Sequence, residues 1–102
     1  MQMHRKKKVE MIVDSACAPQ LLKMCERVGA KGYTVVPNAS GKGNRGVRGV
    51  GDLFDIFRNV LIIVIASEEI ATRIVEESQP LLQHYAGIIY TSDVEVIRDE
   101  HF

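Results

Sequence analysis

The stretch VLIIVIASEEIATRI, residues 60–74, changes its pattern halfway along. Val60 to Ile65 is apolar at every position, so a strand there has no polar face to turn to water and has to be covered on both sides. Ser67 then offers a helix N-cap, and Glu68 and Glu69 suit the positive end of the helix it opens. Ile70, Ile74, Val75 and Ser78 continue one helical stripe as far as Pro80, which interrupts or re-aims the chain near the helix end. A strand running directly into a helix is half of a β-α-β unit, and the rest of the chain supplies the other half.

Residues 6–14 alternate, with Lys7, Val9, Met11 and Val13 on one face and Lys8, Glu10, Ile12 and Asp14 on the other, which predicts a strand. Residues 18–28 place Leu21, Leu22, Met24, Cys25 and Val28 at helical spacing, with Pro19 in the first turn and Gly29 just past the end. Residues 32–36 are rich in β-formers, and a long connection follows over residues 37–57. Connections of that length inside a small domain are usually functional. Gly87 to Thr91 reads as a further strand, and Val94, Val96 and Ile97 as a short separate last one. The order βαββαβ predicts an α+β, ferredoxin-like fold: an antiparallel sheet with two helices on one face. The second sheet face would lie bare in a monomer, yet the strands are apolar on both faces. A homo-oligomer whose copies cover that face is therefore expected.

At 102 residues the chain is expected to be a single domain spanning residues 1–102. Its formal net charge of zero argues against a nucleic-acid-coating protein, which carries a basic surplus. Cys17 and Cys25, eight residues apart on the first helix, are separated by about 12 Å, too far to be bridged. They read as small buried apolar residues of a reduced, cytoplasmic protein. Neither a secretory leader nor a membrane span is expected, since the apolar run at Leu61–Ala66 is far too short to cross a bilayer. The basic HRKKK run at residues 4–8 reads as a solvated tail leading into an edge strand, rather than as a nucleic-acid or membrane contact.

The chemistry is concentrated in SGKGNRGVR, residues 40–48. Five of the eight glycines (Gly41, Gly43, Gly46, Gly49, Gly51) fall between residues 41 and 51, with Lys42, Arg45 and Arg48 among them. Few side chains shield the main chain there, so successive N–H groups can form a concave anion site, and arginine forks match phosphate oxygens. A phosphate is the expected guest. Further along, Leu53, Phe54, Ile56 and Phe57 form an apolar cluster that either contacts another protein or folds back on its own core. Asp52 and Asp55 read as polar spacers there rather than cation ligands. His4, His84 and His101 lack metal-ligand spacing, so no metal is expected. No paired carboxylates or nucleophile–base arrangement suggests an enzyme.

Three blocks together carry a family resemblance: AKGYTV (30–35), SGKGNRGVR (40–48) and YAGIIY (85–90), with DVEVI following. Over residues 7–98 the chain resembles the PII-like signalling proteins. More narrowly it is similar to the SbtB-type and carboxysome-associated branches, both linked to inorganic carbon uptake. The resemblance implies a homotrimer with a nucleotide in each cleft between subunits. It also implies a flexible T-loop, here residues 38–57, that reports the ligand. By matching blocks, it implies phosphate contacts from Gly41, Lys42, Gly43, Asn44, Arg45 and Arg48. It places Thr34 and the backbone near Gly87, Ile88 and Ile89 around adenine and ribose.

Adenine nucleotides are the implied ligands, AMP or ADP above all, with bicarbonate beside the phosphate at Gly41, Lys42 and Gly43. The protein target would be a bicarbonate transporter or a carboxysome-associated protein, reached from the cytoplasm. The chain departs from the PII proteins proper in lacking their GDGK-type loop and paired C-terminal arginines, with only Arg98 near the end. ATP is thus less well provided for. It ends in DEHF where many SbtB-type chains carry a two-cysteine extension, so a redox switch is not expected. The residue modified in some T-loops has no clear counterpart in GVRGVGDLFDIF. Two other readings stay open: a scaffold that binds its partner regardless of nucleotide, and a slow phosphate-ester hydrolase on the same fold.

Overall fold

The computed structural model describes residues 1–40 and 59–102. In chain order these form β1 (His4–Asp14), α1 (Ala18–Arg27), β2 (Thr34–Ala39), β3 (Asn59–Ala66), α2 (Glu68–Leu82) and β4 (Gly87–Val96), closed by a 3₁₀ turn at Asp99–His101. The four strands make one sheet in the order β2-β3-β1-β4, antiparallel at every pairing. With both helices packed on one face, this is the expected ferredoxin-like plan.

The alternation in β1 sets the two faces. Val9, Met11 and Val13 point at the helices and are fully buried, opposite Val64, Ile62 and Val60 of β3. Leu21, Met24 and Cys25 of α1, with Ala71 and Ile74 of α2, close the core above them. Pro19 lies in the first turn of α1, where its missing N–H costs nothing, and Gly29 leaves the helix at φ 108°, a conformation that L side chains avoid. The N-cap of α2 is as expected, with the Ile70 N–H donating to Ser67 Oγ at 3.3 Å.

Several boundaries differ from the sequence reading. The last two predicted strands are one ten-residue strand, because Ser92 and Asp93 continue the ladder opposite Lys8 and Lys7. The basic run is not a tail: all of it pairs with β4, and only His4, Arg5 and Lys6 lack a partner strand on the other side. It is the first half of β1, which is an interior strand from Lys7 onward, and acidic residues take up its charge: Lys6 Nζ meets Asp99 at 2.7 Å and Lys7 Nζ meets Asp93 at 2.6 Å. β2 continues through Pro37 to Ala39. A bulge between Val36 and Ala39 and a left-handed Asn38 (φ 59°) accommodate a residue that cannot donate to the ladder. Pro80 does not stop α2, which runs to Leu82, since its missing N–H removes a bond only in the last turn. In the single chain, β3 is buried on its helix face alone, while Leu61, Ile63 and Ile65 on the other face are half-buried.

Both cysteines are free and buried. Burial pushes the Cys17 thiol up and the Cys25 thiol to about 11, from an ordinary value of 9.0. Because the folded value is the higher one, the unfolded chain loses its thiol proton first. Stability contributed by a neutral Cys25 is complete below pH 9 and is lost as pH rises from 9 towards about 11. Thiol labelling at about pH 8 should accordingly leave the native protein unmodified and label both cysteines once it is unfolded. Rapid labelling of Cys25 in native buffer would contradict this packing.

Candidate functional site

The two sheet ends differ in chemistry. At one end, Lys7 hydrogen-bonds Asp93, which raises the lysine's pKa and lowers the carboxyl's. A cleft of about 400 Å³ there is lined by Arg5, Lys6, Lys7, Glu68, Asp93 and Glu95. Its cations and carboxylates are equal in number, so it has no net preference for an anion.

The opposite end brings the strand residues that flank the segment 41–58 next to the start of β4. Ala39 pairs with Asn59, Asn59 pairs with Asp14, and the Asp14 N–H donates to the Ala86 carbonyl at 3.3 Å. The last residue of β2, the first of β3, the last of β1 and the residue before β4 therefore form one row. Gly87, Ile88 and Ile89 open β4 directly beside it, facing Val13, Ile12 and Met11. The segment carrying Gly41, Lys42, Gly43, Asn44, Arg45 and Arg48 leaves the sheet from this row and returns to it. Those six residues lie outside the described residues, as do Asp52, Leu53, Phe54, Asp55, Ile56, Phe57 and most of the predicted T-loop (38–57). The Asp14 carboxylate is already occupied, accepting the Ala16 N–H at 2.9 Å.

Thr34 is not brought to that row. It sits at the start of β2, opposite Ile63, on the sheet face away from the helices. β2 and β4 are the two outer strands, with β3 and β1 between them. Three inter-strand steps separate Thr34 from β4, about 14 Å. The structure thus unites Gly87, Ile88 and Ile89 and keeps Thr34 on the far edge of the same chain.

Within the Gly87–Ile89 triplet the side chains diverge. Ile88 projects from the open face and is exposed, whereas Ile89 packs against the core. Gly87 has a packing role that sequence reasoning missed. A Cβ there would lie 2.8 Å from Val13 Cγ1, 3.1 Å from the Ile12 carbonyl and 3.2 Å from Leu82 Cδ2. The sequence offers only a glycine between helix and strand, a signal shared by many ordinary turns. Gly87→Ala should destabilise the protein by about 1–3 kcal/mol, since Val13 is held in the core and the Ile12 carbonyl is backbone. Urea unfolding measures this, and an unchanged midpoint would mean that β1 yields at this point.

The open face combines apolar rows with one polar cluster. Across all four strands run Val36, Leu61, Ile12 and Ile88 in register. The neighbouring row is Thr34, Ile63, Glu10 and Tyr90. Glu10 receives the Lys8 ammonium on Oε1 at 3.1 Å and the Tyr90 hydroxyl on Oε2 at 3.3 Å. Among the described residues no group of three His, Cys, Asp or Glu could hold a metal ion, and no helix is long and apolar enough to cross a membrane.

A family model described as nitrogen regulatory protein P-II matches residues 6–101. Among solved structures, the chain is similar to CPII, a nitrogen regulatory PII-like protein from Thiomonas intermedia K12, bound to ADP, AMP and bicarbonate. There the identity is 30%, the TM-score 0.82, and the match covers 99% of this chain and 100% of that one. CPII bound to ADP and bicarbonate aligns at 33% identity and TM-score 0.85, over 99% of this chain and 97% of the other. A protein from Thermus thermophilus described as PII-like and signalling aligns at 36% identity and TM-score 0.81, over 100% of this chain and 99% of its own.

Proposed function

The chain belongs to the nitrogen regulatory P-II family, and on that footing we propose that it is a regulatory sensor of AMP or ADP, together with bicarbonate. In this reading residues 1–102 form one domain of the SbtB-type or carboxysome-associated branch. Three copies assemble, and each cleft between neighbours takes one nucleotide. The observation that carries the ligand assignment is the CPII pair, which binds ADP, AMP and bicarbonate or ADP and bicarbonate at full-length similarity to this chain.

The sheet geometry supports a shared cleft. Thr34 and Gly87–Ile89 lie on opposite outer strands, so one chain cannot close both around an adenosine, whereas two copies meeting edge to edge can. Gly87, Ile88 and Ile89 adjoin the row from which the glycine-rich segment departs. Gly41, Lys42, Gly43, Asn44, Arg45 and Arg48 would then hold the phosphates, Thr34 and the β4 backbone would line the nucleoside, and bicarbonate would occupy Gly41, Lys42 and Gly43. Binding orders the T-loop (38–57), which docks on or leaves a protein target in inorganic carbon metabolism, a bicarbonate transporter or carboxysome-associated component reached from the cytoplasm. No chemical step is assigned to the protein: it acts as a regulator and not as an enzyme.

Calorimetric titration of AMP, ADP, cyclic AMP and ATP, each with and without bicarbonate, tests this. ADP or AMP should bind most tightly. If bicarbonate touches both nucleotide and loop, each ligand must raise the other's affinity by the same factor. An ADP affinity indifferent to bicarbonate would remove the coupling, and absence of heat with every adenine nucleotide would remove the sensor.

A further inference from the structure

The polar cluster on the open face is out of place where copies are to meet. Leu61, Ile63 and Ile65 of β3 are half-buried there, and Ile88 and Val36 are exposed at the two outer strands. In the middle stands Glu10, its side chain only 17% exposed, with Lys8 in the same strand and Tyr90 across the ladder. We infer that the Lys8–Glu10–Tyr90 cluster fixes the register in which copies of this chain pack their open sheet faces, an inference that rests on the self-association proposed above.

A second copy is the occupant that the charges favour. The Lys8–Glu10 pair is electrically neutral, and each carboxylate oxygen already has a donor, so an identical face can cover it without stranding a charge. An acidic or basic partner would find no net charge to meet. The face also runs unbroken from β2 to β4, the two strands that carry the separated parts of the proposed cleft.

Register follows from the capacity that the cluster leaves unused. An ammonium has three donors and a phenol oxygen can also accept, so Lys8 and Tyr90 need further partners once water is excluded. A neighbour's polar groups, or waters trapped against them, meet that need in one alignment. A slide of two residues, about 7 Å, would carry the ammonium off those partners and leave it unmatched. Such polar pins are known to select register and oligomeric state at some cost in stability.

Native mass spectrometry and dilution-series sedimentation of the full chain test this on three variants. Wild type should give a single stoichiometry. Glu10→Leu strands the Lys8 ammonium and should weaken self-association on the order of a hundredfold. The triple variant Lys8→Met, Glu10→Leu, Tyr90→Phe removes all partners together, so it should associate at least as tightly as wild type but into more than one stoichiometry. Tyr90→Phe, the mildest change, should fold and give a smaller loss in the same direction. Circular dichroism separates misfolding from dissociation. A Glu10→Leu protein as tightly associated as wild type, or a triple variant with one wild-type stoichiometry, overturns the inference and leaves the oligomer standing. A wild-type protein that stays monomeric at micromolar concentration overturns both.

Discussion

Leu21→Ala should lower stability by about 2–5 kcal/mol, the range for truncating a fully buried leucine. Leu21 is wholly inaccessible, on the buried face of α1 with Met24 and Cys25, in the same core cluster as Val9 and Met11. α1 has only ten residues, too few to persist without its packed face, so the cavity falls where the helix depends most on the sheet. At roughly 4–8 °C per kcal/mol for a domain near this size, the melting point should drop by about 8 °C or more. The comparison needs a fixed chain concentration, because association adds to apparent stability. The denaturant midpoint should shift while the slope stays constant. A loss below about 1 kcal/mol would mean that the site collapses around the smaller side chain.

The second large effect concerns the ligand. On the function proposed above, Arg45→Ala should weaken ADP binding roughly 10- to 150-fold, the equivalent of one charge-assisted phosphate bond of about 1.5–3 kcal/mol. Arg45→Lys should recover only part of this, since lysine restores the charge without the planar fork. Neither change should move the melting point of the ligand-free protein. Calorimetry on both variants decides it, and an Arg45→Ala protein that binds ADP as tightly as wild type would exclude the residue from the phosphate site.

Much of the fold was legible because its signals are local. The β1 alternation, the Pro19 and Gly29 brackets of α1 and the Ser67 cap of α2 each follow from a few neighbouring residues. What was missed depends on pairing. Ser92 and Asp93 look like a break in β4 until Lys8 and Lys7 are seen opposite them. Strand pairing also turns a basic tail into the first half of β1, interior from Lys7 onward. Val60 to Ile65 promised two covered faces, and the single chain covers one. On the self-association proposed above, that shortfall is the face that another copy would cover.

For the candidate site, composition pointed to the glycine-rich segment, and topology adds that its roots adjoin Gly87, Ile88 and Ile89. The distance from Thr34 to those residues was not readable in advance, because strand order within the sheet leaves no mark on spacing along the chain. Nor was the steric demand at Gly87, which arises in part from Val13, far away in sequence.

The row formed by Val36, Leu61, Ile12 and Ile88 has a consequence at the ribosome. On the self-association proposed above, a newly made copy carries this uncovered apolar row, ending on two open strand edges, until it meets its siblings. Translation of several chains from one message would then shorten the interval in which that row stands open.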